Sequence, residues 1–461
     1  MQSLSPHRRA SAWLNAAIAL LLATLFFLSG LYVVGYVRAS RAQTEAPFDM
    51  RFLSASAQES ARGIDRALLA PQAIAIRSGG VCRAVLNSGA VIGEMYDALA
   101  GVWLSAASGA AETIGEDVWR EAVAHADGVW ISYAAELPIE VIAAFAAAGE
   151  SEEALSREER AYLGVAEWFL LPDGSGRLTT VLAHGSGGAC RLAAADAPAW
   201  SEYAAFAATY ANVFYGATLT AAAHGGALTV TDRIEARQIA AANSAVLLLT
   251  QQTADNDAFL RLLSFNPDKL NEHTEADGTR VCVESHGVLR MDAASVAYTA
   301  AEGGGIPIAA WNGAADGADV YGYLRAASNF LRQLEQIDAQ YTGGDAQLRL
   351  ARVGAADGAI ELSFAFCYEN VPVLWEMEEA ALVMSFRGDC LTSLSYRPLN
   401  VRRTLTNRRT VLAAYARRVL APDAEAALRL VYRAENQGVD SLAAEWLVTP
   451  YTEEREWAGT N

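Results

Sequence analysis

Lysine is nearly missing from this chain: of 35 basic residues only Lys269 is a lysine. A Walker A loop needs Gly-Lys ahead of Ser or Thr, and a Ser-x-x-Lys dyad needs a serine where Asn266 stands, so both chemistries are excluded. Cysteine is sparse as well. Cys82, Cys190, Cys282, Cys367 and Cys390 are an odd number, far apart and without a CxxC pair, which argues against a disulfide framework and a zinc site. Cys367 and Cys390, on neighbouring predicted strands, are the one candidate pair, and buried free thiols are the simpler expectation. Positive charge is in deficit: the formal net charge of −18 opposes a nucleic-acid partner.

The familiar catalytic signatures are missing too. Ser186 lacks the glycine of a GxSxG elbow because His184 stands two residues before it, and GSGGAC ends in Cys190 where a GxGxxG loop needs glycine. No HExxH and no EF-hand loop occurs. The acidic pairs Glu378-Glu379 and Glu453-Glu454 are adjacent in sequence, the arrangement of solvated acids. No cofactor or metal is expected.

What is present begins with a long apolar run. Ala10 to Val37 contains no charged residue, and at 1.5 Å per residue its apolar part, Ala17 to Val37, makes a helix of about 32 Å, enough to cross a hydrocarbon core. A cleavable signal peptide ending at Ser40-Arg41-Ala42 competes with this reading, but the run exceeds the usual apolar region of such peptides, so an uncleaved anchor is expected. Flanking arginines on both sides leave orientation open. One helical stripe, Ala16, Ala19, Ala23, Phe26 and Gly30, is mostly small and lets a second helix approach closely in lipid.

With 52% hydrophobic and 19% charged residues the remainder reads as folded, and 461 residues exceed one ordinary core. The expected organisation is a tail (1–12), a transmembrane helix (13–37), a connector (38–70) and three α+β units at 71–195, 196–305 and 306–461. In the first unit, AIAI, VCRAVL and GVWISYA read as strands, Val91 to Leu104 and Glu116 to Ala126 as helices, and Pro138 opens a further helix. Ala166 to Ala183 forms a hairpin turning at Pro172 to Gly176. In the last unit a helix from Asp319 carries a buried stripe at Val320, Tyr323, Leu324, Ala327, Phe330, Leu331, Leu334 and Ile337, followed by antiparallel strands and a second helix capped by Asn407. Two small sheets, each covered by a helix, would satisfy this pattern.

Two stretches carry chemistry-bearing side chains. Phe259 to Asp292 holds His273, Asp277 and His286; its residues read as a helix stopped at Asn266-Pro267, an Asp277-Gly278 turn, a strand TRVCVE and a second turn at Ser285-His286-Gly287. Both histidines then lie on turns and the acids on solvated faces, so the stretch reads as scaffold, with a hydrolase or metal site as the minor alternative. Arg402, Arg403, Arg408 and Arg409, with Arg417 and Arg418 beyond them, are the one concentrated basic feature and suit an anionic wall polymer, lipid headgroups or an acidic partner, or else simply face water.

GVWISYAAELPIEVI, FLRLLSFNPDKL and TEADGTRVCVESHGVLRMD occur in the order of three segments of the YycH family, which the chain resembles, and the C-terminal unit resembles the fold shared with YycI proteins. Glu275 stands where that family has an aromatic residue, and Ser264 interrupts its Leu-Phe pair. The resemblance implies a non-enzymatic, single-pass membrane protein with its folded part outside the cell. It implies partners too: a YycG-like sensor histidine kinase and a YycI-like protein, through which such proteins adjust cell-wall metabolism.

Overall fold

A computed structural model describes residues 66–450, apart from several segments of which 143–163, 246–253 and 417–425 are the longest. The stripe at Ala16, Ala19, Ala23, Phe26 and Gly30 lies outside the described residues. Among those described, no helix is long and apolar enough to cross a membrane.

The fold is mixed α+β and rich in sheet. Nine strands build the first sheet: β1 (Ala73–Ser78), β2 (Val81–Val85), β3 (Glu112–Ile114), β4 (Gly128–Pro138), β5 (Gly164–Leu171), β6 (Thr180–Gly185), β7 (Gly188–Ala193), β8 (Tyr215–Ala222) and β9 (Gly225–Val230). Their order is β3-β7-β6-β5-β4-β1-β2-β8-β9, all antiparallel. The sequence AIAI explains why both faces of this sheet are covered. Ile74 and Ile76 point into the main core, while Ala73 and Ala75 point to the other face. Those alanines admit a helix at close range, and the helix Glu116–His125 fills the space with Trp119 and Val123. Arg77 closes the corner: it is buried, and its guanidinium donates to the Val123 carbonyl (2.6 Å) at the end of that helix and to the Leu219 carbonyl (2.7 Å) of β8. A cation at a helix C-terminus meets the negative end of its dipole.

On the main-core face lie α1 (Gly89–Asp97) and α2 (Ala100–Ser108), where the sequence pattern predicts one helix from Val91 to Leu104. The chain breaks between them because Trp103 stacks on Tyr96 at 5.1 Å and its indole N–H donates to the Tyr96 carbonyl, a tertiary gain that no local residue signals. Pro138 ends β4, opposite Gly164, and the helix expected to open there falls, apart from Ile142, outside the described residues.

The next strand, β10 (Glu235–Asn243), is the centre of a three-stranded sheet with β21 (Leu399–Arg409) and β23 (Val439–Leu442). After helix α3 (Ala254–Leu262), with Asp255, Asn256 and Asp257 in its first turn and not before it, come β11 (Asn271–Thr274), β12 (Arg280–Glu284), β13 (Gly287–Met291), β14 (Val296–Ala300) and the short β15 (Ile306–Pro307). The amphipathic α4 (Val320–Ile337) leads to β16 (Gln347–Ala356), β17 (Ala359–Tyr368), β18 (Val371–Trp375), β19 (Leu382–Arg387), β20 (Cys390–Tyr396), β22 (Ala426–Ala434) and β24 (Ala444–Pro450). The last sheet runs β11-β12-β13-β14-β20-β19-β17-β18-β22-β24, with β15 beside β20 and β16 beside β17. Of the stripe that the spacing predicts on α4, Tyr323, Leu324, Ala327, Phe330, Leu331 and Leu334 are buried and Ile337 is partly so, with Tyr323 stacked on Phe386 at 4.9 Å and Phe330 against Trp311.

Sheet membership does not follow the expected unit boundaries. Strands β8 and β9 extend the first sheet past residue 195, and β11 to β14 join strands from beyond residue 305, so the sheets are larger than the two small ones anticipated. The helix expected from Asn407 does not begin there: Asn407 pairs with Arg237 inside β21, and among the described residues that follow, Ala413 and Ala416 are helical and buried. The free edge of β10 offers backbone partners as far as Arg409, and that pairing outweighs the capping preference of one asparagine. Cys367 and Cys390 do not pair. β19 separates their strands, all five thiols are free, and all but Cys390 are buried.

Candidate functional site

The fold treats the two chemistry-bearing stretches differently and adds a third place. In Phe259 to Asp292 the helix stops as expected: Ser264 takes a left-handed conformation (φ 63°), and Asn266 Oδ1 accepts from the Asp268 amide. The Asp277-Gly278 turn forms with Gly278 at φ 91°, and Asp277 Oδ1 accepts from the Thr279 amide (2.9 Å). His286 occupies its turn, its Nε2 at 3.2 Å from the Leu263 carbonyl and its ring 4.7 Å from Phe265. His273, by contrast, is not on a turn; it lies in β11 opposite Val281. The acidic residues serve cross-strand pairs: Glu272 accepts from Arg280, and both oxygens of Glu275 accept from Arg290 at 2.6 Å. Cys282 is fully buried because its face of β12 is turned to the core. Burial pushes its thiol up to about 11. His273, Asp277 and His286 therefore do not converge, and among the described residues no group of three His, Cys, Asp or Glu is placed to hold a metal.

The arginines come together on β21. Arg402, Arg403, Arg408 and Arg409 are all exposed, on either side of an irregularity where β10 advances from Arg237 to Ile239 while β21 passes from Asn407 to Arg403. Thr404 fastens that irregularity by donating to the Gln238 carbonyl (2.9 Å), and it presents Leu405 wholly to solvent at 103% exposure. The four guanidiniums are not all free: Arg409 Nε donates to Glu235 Oε2 at 3.3 Å, while Arg417 and Arg418 lie outside the described residues.

Sequence reasoning missed the third place, a cleft of about 1170 Å³ bounded by α1, the start of β10, the start of β16 and the β17–β18 turn. Arg233, Arg349, Arg409, Glu235, Asp345 and Asn370 are among its walls. These residues are up to several hundred positions apart, so no motif could have assembled them. The β17–β18 turn is held in place by Asn370, which adopts φ 73° and donates through Nδ2 to the carbonyls of Gln72 (2.5 Å) and Leu86 (3.1 Å).

No protein-family model and no curated protein sequence matches the chain. Among solved structures, the crystal structure of YycH from Bacillus subtilis aligns with 84% of this chain and 97% of that one, with a TM-score of 0.53 and 10% sequence identity. The long sheets, antiparallel except where β18 meets β22, and the helices laid on them thus have the fold of YycH, reached here by a sequence only 10% identical to it.

Proposed function

We propose that this protein is a membrane-anchored, non-enzymatic regulator of a YycG-like sensor histidine kinase, acting beside a YycI-like protein in a two-component system that controls cell-wall metabolism. The observation that carries this reading is the YycH-like fold along 84% of the chain, in the same order as the three sequence segments that resemble the family. The dispersal of His273, Asp277 and His286 onto a strand and two turns is consistent with a scaffold that does no chemistry. Such a protein regulates by binding one state of its partner better than another, and the shift it produces is limited by that difference.

Contacts through the apolar N-terminal run and through the external domains are both part of the proposal. The test is to replace Ala19, Ala23 and Gly30 by leucine and measure recovery of the kinase with the tagged full chain from native membranes. Recovery falls if the small stripe packs against a partner helix; unchanged recovery removes the helix contact from the proposal. A second reading, an anchored module for an anionic wall polymer or lipid, is favoured by the exposure of Arg402, Arg403 and Arg408 around the solvent-facing Leu405. Changing Arg402, Arg403, Arg408 and Arg409 to glutamine then abolishes retention on purified wall or anionic vesicles, and equal retention rejects it.

A further inference from the structure

The exposed apolar side chains of this protein are not scattered singly. Among the described residues five large ones are exposed, and three of them, Leu405, Val411 and Leu412, fall in β21 or just after it. The same stretch holds Arg402, Arg403, Arg408 and Arg409, all exposed, in a chain whose net charge is −18. A lone surface leucine needs no explanation, and charges along a sheet edge are a common guard against strand pairing. Neither accounts for a wholly exposed leucine set among cations, with two more exposed apolar residues beyond them.

The backbone fixes this arrangement. β21 lies at the edge of its three-stranded sheet, and the loop at 343–345 meets that edge at Val401 and at Arg403, whose amide donates to Asp345 Oδ2 (2.7 Å). Past Arg403, three residues of β21, Thr404, Leu405 and Thr406, stand opposite the single Gln238. The Thr404 hydroxyl is turned back onto β10, donating to the Gln238 carbonyl (2.9 Å) and accepting from the Thr406 amide (3.3 Å), so the bulge is pinned with Leu405 at its exposed point. The register distributes the cations around it. Arg403 and Arg408 stand opposite the buried Ile239 and Ala236, while Arg402 and Arg409 stand opposite Ala240 and Glu235 on the other face. Two arginines thus precede the leucine and two follow it, one of each pair on either face of the strand. Arg409 donates to Glu235, whereas among the described residues no carboxylate pairs with Arg402, Arg403 or Arg408.

We propose that the bulged edge of β21 docks on an anionic lipid bilayer, with Leu405 entering the headgroup layer and Arg402, Arg403 and Arg408 engaging lipid phosphates around it. The inference rests on the second reading above and narrows it from polymer or lipid to lipid. A wall polymer answers the arginines but offers no apolar medium for the leucine, whereas a bilayer offers phosphates and an apolar layer at one surface. Guanidinium matches phosphate through its planar fork of donors. An acidic strand added to this edge is opposed by the bulge and by the charges, both of which interrupt pairing. The net charge of −18 does not forbid a local contact, because exposed charges farther away than about 8 Å are largely screened at physiological salt. Docking of this kind is independent of kinase association and is measured without the kinase.

The experiment is co-sedimentation. The full chain, reconstituted in phosphatidylcholine nanodiscs so that its apolar run is already occupied by lipid, is mixed with separate vesicles, and the fraction carried down with them is measured. Vesicles of phosphatidylcholine alone are expected to capture little, and vesicles of phosphatidylcholine and phosphatidylglycerol in equal parts to capture the chain, less so as salt rises. L405S is expected to weaken capture roughly tenfold or more, the scale of taking one leucine out of an apolar medium. R402Q/R403Q/R408Q together are expected to weaken it about a hundredfold, and Arg409 is left in place to keep its pair with Glu235. All four altered side chains are exposed, so the variants keep the fold. Failure of the phosphatidylglycerol vesicles to capture the chain overturns the proposal, as does capture that L405S leaves unchanged, since charge alone then explains it. Retention on purified wall separates this failure from that of the broader reading: a chain held by wall and not by vesicles overturns lipid docking alone, and a chain held by neither overturns both.

Discussion

Replacing Phe265 by alanine tests whether the histidine-containing stretch is scaffold. Phe265 is 1% exposed at the end of α3, with its ring 4.7 Å from His286 and set edge-on to Tyr298 at 6.2 Å. Deleting a buried phenyl ring costs about 3 to 5 kcal/mol once the residual cavity is included, and the lost aromatic pairs belong within that range. At about 1.4 kcal/mol per factor of ten, a loss near 4 kcal/mol means that the α3 amides exchange with solvent deuterium several hundred to a thousand times faster, if they exchange through an opening that exposes this ring. Hydrogen exchange read by mass spectrometry on peptides covering 254–262 measures this locally, without assuming that so long a chain unfolds in one step. Phe265→Leu, which keeps most of the volume, is expected to lose far less. An acceleration below tenfold in Phe265→Ala would mean that the ring does not support the helix, and the scaffold interpretation of this stretch would fall with it.

Alanine at both His273 and His286 is expected to leave any hydrolytic activity of the purified chain unchanged across a broad ester, phosphoester and glycoside panel; loss of a measurable turnover would revive the hydrolase alternative. Native-state labelling with an aromatic disulfide reagent should modify Cys390 first, because Cys82, Cys190, Cys282 and Cys367 are buried. Burial pushes the Cys190 and Cys282 thiols up to about 11, so the stability of keeping them neutral is complete below the ordinary thiol range and declines as pH rises toward that value. Fast labelling of four or more thiols at neutral pH would contradict this burial. Asp173 accepts from the Ser175 and Thr179 hydroxyls and from the Ser175 and Arg177 amides, which hold its carboxyl well below the usual carboxylate range. A depressed value contributes stability above about pH 4 that is lost on acidification, so Asp173→Asn should lower the melting temperature at pH 7 and the gap should close as pH falls. A gap that widens in acid would show the sign to be wrong.

Much of the fold was legible because it is local. The stripe of α4, the stop at Asn266-Pro267, the Asp277-Gly278 turn and the hairpin turning at Pro172 to Gly176 depend on periodicity, φ preferences and the missing proline N–H, all of which act between near neighbours. Asn266-Pro267 and Asp277-Gly278 lie in segments that carry the family resemblance, and the fold agrees with it although identity to YycH is only 10%. Where neighbours in space are distant in sequence, the local signals misled. Asn407 has the local chemistry of a cap yet is a strand residue because β10 is there to pair with it, and alternation divides β12 into two faces without saying that the one carrying Cys282 meets the core.

Composition and spacing by themselves determined that the chain is a folded α+β protein without the usual catalytic signatures, and they located its apolar run and its arginines. Only the tertiary structure decided that the arginines of β21 stand around an exposed leucine, that the three histidine-stretch candidates form no metal-binding group, and that Arg349, Asn370 and the N-terminus of α1 line one cleft. The reason is physical. Hydrophobic periodicity encodes which face of an element is buried, whereas the meeting of β16, the β17–β18 turn and α1 depends on how whole sheets pack, and that packing has no short-range pattern to betray it.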